Sequence, residues 1–67
     1  MNEIIFRTKR DINGNTYYLI INLASKTAKS GYNMGFGLYS EGIETTKKGL
    51  RALREKFEKN GYTIEYI

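Results

Sequence analysis

Asn13-Gly14 constrains this chain more than any other pair of residues. Both central positions of a type I′ turn need positive φ, which Asn and Gly tolerate, and the pair lies between two runs of alternating polarity. A two-residue turn there predicts a hairpin in which Ile12 opposes Asn15, Arg10 meets Tyr17, Thr8 meets Leu19, Phe6 meets Ile21 and Ile4 meets Leu23. The more apolar residues of both strands then share one face, as a hairpin buried on one side requires. The other face receives Ile5, Arg7, Lys9 and Asp11 across from Asn22, Ile20, Tyr18 and Thr16.

Beyond the hairpin, Ser25 to Ser30 is polar and aperiodic and reads as a loop, and alternation resumes from Gly31 to Tyr39. Tyr32, Met34, Phe36 and Leu38 are expected to face the core, leaving Asn33, Gly35, Gly37 and Tyr39 outward. Ser40 to Glu44 turns the chain, and Thr45 is the expected cap of a helix that Asn60-Gly61 ends. Its apolar stripe is Thr46, Gly49, Leu50, Leu53 and Phe57, with Gly49 allowing a close approach to the sheet. Residues 62–67 alternate again as a final strand, and parallel pairing beside the first strand would give the order 3-2-1-4. The expected fold is α+β: a two-layer β-β-β-α-β domain over residues 1–67, an antiparallel three-stranded meander with one helix on one face and a short C-terminal strand.

A chain of 67 residues has room for one small core. It contains neither Cys nor His. Disulfides, Cys/His zinc sites, thiolate nucleophiles and imidazole bases are therefore excluded, so an enzyme, a cofactor and a metal site are not expected. Gly35-Phe36-Gly37 is a fragment of a phosphate-binding glycine loop that lacks its later glycine, and Glu41 and Glu44 lack a third acidic partner. No apolar run approaches the ~20 residues of a membrane span, and Met1-Asn2-Glu3 lacks the basic start of a secretory signal. A cytoplasmic protein with no membrane partner is expected.

The charge is unevenly placed. Thr45 to Asn60 holds six basic and two acidic residues, a net of +4, while the remainder of the chain sums to zero. Lys47 and Lys48 occupy the first helical turn, where the macrodipole disfavours cations, and Arg51/Glu55 and Arg54/Glu58 are in the less favourable i,i+4 order. Basic side chains beside exposed helix N–H groups suit an anionic partner. Lys47, Lys48, Arg51 and Arg54 are accordingly the primary candidates for nucleic-acid contact, with Lys47, Arg51 and Arg54 in one outward sector. A second candidate surface is the open sheet face, where Arg7 and Lys9 lie near Tyr18 and Tyr39; Ile5 and Ile20 on that face would equally suit a covered interface. Tyr17, Tyr32, Tyr62 and Tyr66 are assigned to the core edge.

Residues 8–19, followed by Gly31-Tyr32-Asn33 and a basic helix ending in Asn60-Gly61-Tyr62, resemble short uncharacterised proteins of Gram-positive bacteriophages and mobile elements. The resemblance spans most of the chain and implies no activity. In topology the chain is also similar to the sheet-reading DNA-binding domains of integrase amino termini, departing from them in its last strand and its lack of Trp. With the last strand it is similar to the truncated RNase H-like domains of HicB-type antitoxins, without their Gly-Cys segment. Two functions are therefore carried forward. The first is a non-enzymatic nucleic-acid-binding accessory protein that contacts phosphates, of duplex or single strand, through its helix. The second is a protein-binding inhibitor or regulator of a host enzyme, of an anti-defence or antitoxin-like kind. A monomer is favoured, with a homodimer through the open sheet face as the alternative.

Overall fold

Tyr18-Leu19-Ile20-Ile21 is an unbroken apolar run of β-formers, the pattern of a strand enclosed on both faces. The computed structural model of the chain describes residues 2–32 and 42–66 and places that run at the centre of a five-stranded sheet. The strands are β1 (Glu3–Arg7), β2 (Tyr17–Asn22), β3 (Thr27–Tyr32), β4 (Ile43–Glu44) and β5 (Thr63–Tyr66), with one helix, α1 (Lys47–Lys59), between the last two. The sheet order is β4-β1-β2-β3-β5. The meander β1-β2-β3 is antiparallel, and each edge strand pairs in parallel with its neighbour. The expected α+β architecture of a meander, one helix and a C-terminal strand is present.

The first turn differs from expectation. Asp11 N–H donates to the Asn15 carbonyl and Gly14 N–H to the Asp11 carbonyl, both at 2.9 Å, which closes a three-residue turn over Ile12-Asn13-Gly14. Gly14 takes φ of 78°, whereas Asn13 keeps negative φ, so the turn is not type I′. The Asp11 carboxylate stabilises it by accepting from Asn13 N–H at 2.9 Å and Asn15 N–H at 3.0 Å. Further in, Thr8 N–H donates to the Tyr17 carbonyl and Thr8 Oγ1 accepts from Tyr17 N–H, so three steps on one arm are matched by two on the other. The turn and this extra residue each slip the register by one. Phe6 therefore faces Leu19 and not Ile21, and Ile4 faces Ile21 and not Leu23. Two slips of the same sense restore parity, which is why the expected faces survive a wrong register.

On the helix side, Leu19 and Ile21 are fully enclosed with Ala28 and Leu50, and Ile4, Phe6, Tyr17, Leu53, Phe57, Tyr62 and Ile64 pack around them. Phe6 is half-buried, and Leu23, expected inside, is an exposed turn residue. The opposite face also differs: Tyr18 and Ile20 are only 6% and 7% exposed, so this is not an open surface at its centre. The patch required for a dimer through Ile5, Ile20 and Tyr39 loses its middle residue, and Tyr39, with Asn33, Met34, Gly35, Phe36, Gly37 and Leu38, lies outside the described residues.

β3 occupies Thr27–Tyr32, which the sequence reading assigned largely to a loop. Its inward residues are Ala28 and Ser30, both buried; Ala28 joins the core with Leu50, and Ser30 Oγ accepts from Arg54 Nη1. The preceding turn is shaped by Asn22, whose Oδ1 accepts from Ala24 and Ser25 N–H. Ile43 and Glu44, expected in a turn, form β4 opposite Phe6 and Arg7. That pairing occupies the free edge of β1, so β5 takes the free edge of β3 and the order 3-2-1-4 is excluded. At about 1.5 Å per residue a thirteen-residue helix is about 20 Å long, comparable with the roughly 19 Å across four strand spacings. It thus reaches from one edge of the sheet toward the other, resting on β2 and β5.

Thr46, not Thr45, caps α1, its hydroxyl accepting from Gly49 N–H at 3.0 Å. A side chain at Gly49 would collide with the Thr45 hydroxyl, so this glycine makes room for the incoming chain and not for the sheet. At the other end, Gly61 N–H donates to the Glu58 carbonyl and Tyr62 N–H to the Phe57 carbonyl, with Gly61 at φ of 89°. These are the paired bonds of a Schellman cap, completed by the edge-to-face packing of Phe57 on Tyr62 at 5.0 Å. No helix among the described residues is long and apolar enough to cross a membrane.

Candidate nucleic-acid interface

Leu50, Leu53 and Phe57 fix which side of α1 meets the sheet, and residue spacing then places the cations. Lys47, Arg51 and Arg54 lie at i, i+4 and i+7, on a row bordering the core stripe. They line, with Tyr17 and Leu50, a recess of about 160 Å³ beside the sheet. The expected cluster of three therefore forms, but it faces the sheet margin and not straight outward. Lys48 stands exposed on the helix and does not line this recess.

Two of the three cations are held. The Lys47 ammonium lies 4.8 Å from the centroid of the Tyr17 ring, a cation–π contact. Arg54 is half-buried: its Nη1 donates to Ser30 Oγ at 3.1 Å and its guanidinium carbon lies 5.7 Å from the Tyr66 ring centroid. Ordered cations lose less side-chain entropy when they meet an anion than mobile ones do. Arg51 is exposed between them.

Tyr17 and Tyr32 oppose each other across β2 and β3, and their rings pack 4.3 Å apart at 43°. The Tyr32 hydroxyl donates to Asp11 Oδ2 at 2.7 Å, tying the first turn to the end of β3. Asp11 is held below its ordinary value of 3.8, first by the Asn15 N–H and next by the Tyr32 hydroxyl, with the Lys47 charge adding to them. The same bond to Asp11 pushes the Tyr32 phenol above its ordinary 10.0. A wider cleft of about 550 Å³ runs from Tyr17 and Lys47 past Asp11 to Lys9, Glu44 and Thr45. Its walls carry both signs of charge, whereas Lys47, Arg51 and Arg54 are the charged side chains lining the recess along the helix.

The second candidate surface is not assembled as expected. Arg7 sits 3.6 Å from the Glu44 carboxylate, its partner across the β1–β4 pairing, and Lys9 lies 4.0 Å from the same group. Tyr18 is buried and offers no open ring, for it belongs to a strand enclosed on both faces. The aromatic residues brought to the cations are instead Tyr17 and Tyr66, with Tyr32 packed on Tyr17, all three of which sequence reasoning assigned to the core edge. Their signal is the distribution of tyrosines near the ends of β2, β3 and β5, unreadable until β3 and β5 are in register. Among the described residues no group of three or more metal-ligating side chains comes together. Comparison of the chain with family models, with curated proteins and with solved structures finds no match in any of the three.

Proposed function

We propose that this is a non-enzymatic nucleic-acid-binding accessory protein of a bacteriophage or mobile element, acting in the cytoplasm and contacting phosphates through α1. The observation that carries the reading is the convergence of Lys47, Arg51 and Arg54 on one recess beside Tyr17, with two of these cations already ordered by the sheet. Lys48, exposed on the same first turn, adds a phosphate contact at its margin. Fluorescence anisotropy with a labelled oligonucleotide at two salt concentrations tests it. Dissociation constants of roughly 10⁻⁴ to 10⁻⁶ M, weakening steeply with salt and lost in Arg51→Glu, are expected. Salt-insensitive binding, or none, would reject the reading.

The alternative, a protein-binding inhibitor or regulator of a host enzyme, draws support from Ile12, which is 98% exposed at the tip of the first turn. Nothing in that turn requires an apolar side chain. A stoichiometric protein partner that survives nuclease treatment and is lost in Ile12→Asp would favour it.

A further inference from the structure

We propose that the slot between Tyr32 and Tyr66 receives an unpaired nucleobase, so that the protein prefers single-stranded nucleic acid to duplex; this rests on the reading of the basic face given above. Ser30 pairs with Tyr66 across β3 and β5, and Tyr32 lies two residues beyond Ser30 on the same face. Tyr32 and Tyr66 are therefore diagonal neighbours on adjacent parallel strands, and a strand spacing of ~4.8 Å with a rise of ~3.3 Å per residue sets their backbones about 8 Å apart. Backbones set farther apart than two stacking distances of about 3.4 Å leave room for one ring to enter between the side chains. A depression of about 190 Å³ lies there, bounded by both rings with Arg54 and Tyr17, and with Ser30 and Gly31 along its floor.

The rings are available: Tyr32 is 41% and Tyr66 67% exposed, large aromatic surfaces left in water beside cations. Arg54, anchored on Ser30, sits at the Tyr66 side of the slot, and Arg51 and Lys47 continue along the helix from it. A base in the slot leaves its flanking phosphates to that row. Asp11, ionised on the Tyr32 hydroxyl, repels phosphate from the opposite end and so directs the backbone toward the helix. In a duplex the bases are stacked and paired inside, leaving the row of cations as the surface it can use.

The test compares an oligothymidylate of about 12 nucleotides, within the roughly 4–16 nucleotides bound by small single-strand modules, with a hairpin duplex carrying as many phosphates. Unmodified protein is expected to bind the single strand more tightly. Tyr32→Leu and Tyr66→Leu should each weaken that binding on the order of ten- to a hundredfold and weaken duplex binding far less, any duplex loss being confined to Tyr66→Leu, which also removes the ring beside Arg54, while Tyr32→Phe and Tyr66→Phe retain binding. Tyrosine fluorescence of the unmodified protein should be quenched by the oligothymidylate and not by the duplex, a readout that holds even where a leucine variant unfolds. Equal binding of both probes, with no quenching, overturns the slot and leaves the basic face standing. Failure to bind either probe overturns both.

Discussion

Replacing Ile20 and Ile21 by Val, one at a time, weighs the two faces of β2 against each other. The residues are adjacent and point to opposite sides of the sheet; Ile21 is fully enclosed under α1, and Ile20 is 7% exposed on the far side. Each substitution keeps a β-branched side chain and removes one methylene, worth about 0.8 kcal/mol in transfer, and Ile→Val losses in enclosed sites run to about 0.5–1.5 kcal/mol. A chain of this length, at about 0.05–0.15 kcal/mol per residue, has a total stability of roughly 3–10 kcal/mol. Alanine, at about 2–5 kcal/mol, would unfold much of the population, so valine is the usable probe. Urea denaturation followed by circular dichroism should show both variants destabilised by similar amounts with unchanged m, and each kcal/mol should lower Tm by about 4–8 °C. If Ile21→Val costs about 1 kcal/mol and Ile20→Val lies within about 0.5 kcal/mol of zero, the far face is wet and the reading of β2 as enclosed on both sides is refuted.

Gly61→Ala should cost about 1 kcal/mol, because the Schellman cap needs a left-handed residue there, and the loss should appear as a lower melting temperature. Gly42→Val should destabilise by roughly 1–3 kcal/mol, since a Cβ at this position falls 2.7 Å from Ile5 Cγ2 and 2.9 Å from the Ile5 carbonyl oxygen; retained stability in a denaturant titration would show that β4 does not lie as described. Acid should weaken the first turn: the Asp11 carboxyl is depressed below 3.8 in the folded chain, so its contribution is fully present above that value and is lost as pH falls through the folded pKa. Asp11→Asn should remove that acid limb from a plot of stability against pH below 3.8, and an unchanged limb would assign it to other carboxylates.

The helix was legible because its signals are local. The spacing of Leu50, Leu53 and Phe57 and the stop at Asn60-Gly61 need no knowledge of the rest of the chain. The hairpin was legible in its faces and not in its register, since a turn of one more residue and one unmatched residue on the first arm cancel in parity. Thr27–Tyr32 was missed because its inward side chains are Ala and Ser, small enough to sit beneath a helix and too weakly apolar to mark a buried strand. Ile43–Glu44 is a strand only by virtue of lying against β1, a contact that no local pattern records. The same division applies to the candidate site. Its cations are visible as a charge excess on one helix, while Tyr17, Tyr32 and Tyr66 reach it through pairings between separate segments.

The parallel edges carry a kinetic consequence. The three meander strands are joined by short turns, whereas Phe6 must wait for Ile43 and Thr27 for Thr63, closures whose entropic cost rises with loop length. The meander is thus placed to form first, and β4, α1 and β5 to close over it afterwards as a clasp. All four candidate cations belong to that later, less protected unit. An anion bound at Lys47, whose ammonium rests on the Tyr17 ring of the meander, would tie the two units together. Its binding should therefore slow amide hydrogen exchange in β4 and β5, whose opening it opposes, and by as much in the central strand β2, because the unfolding that exposes β2 also destroys the site.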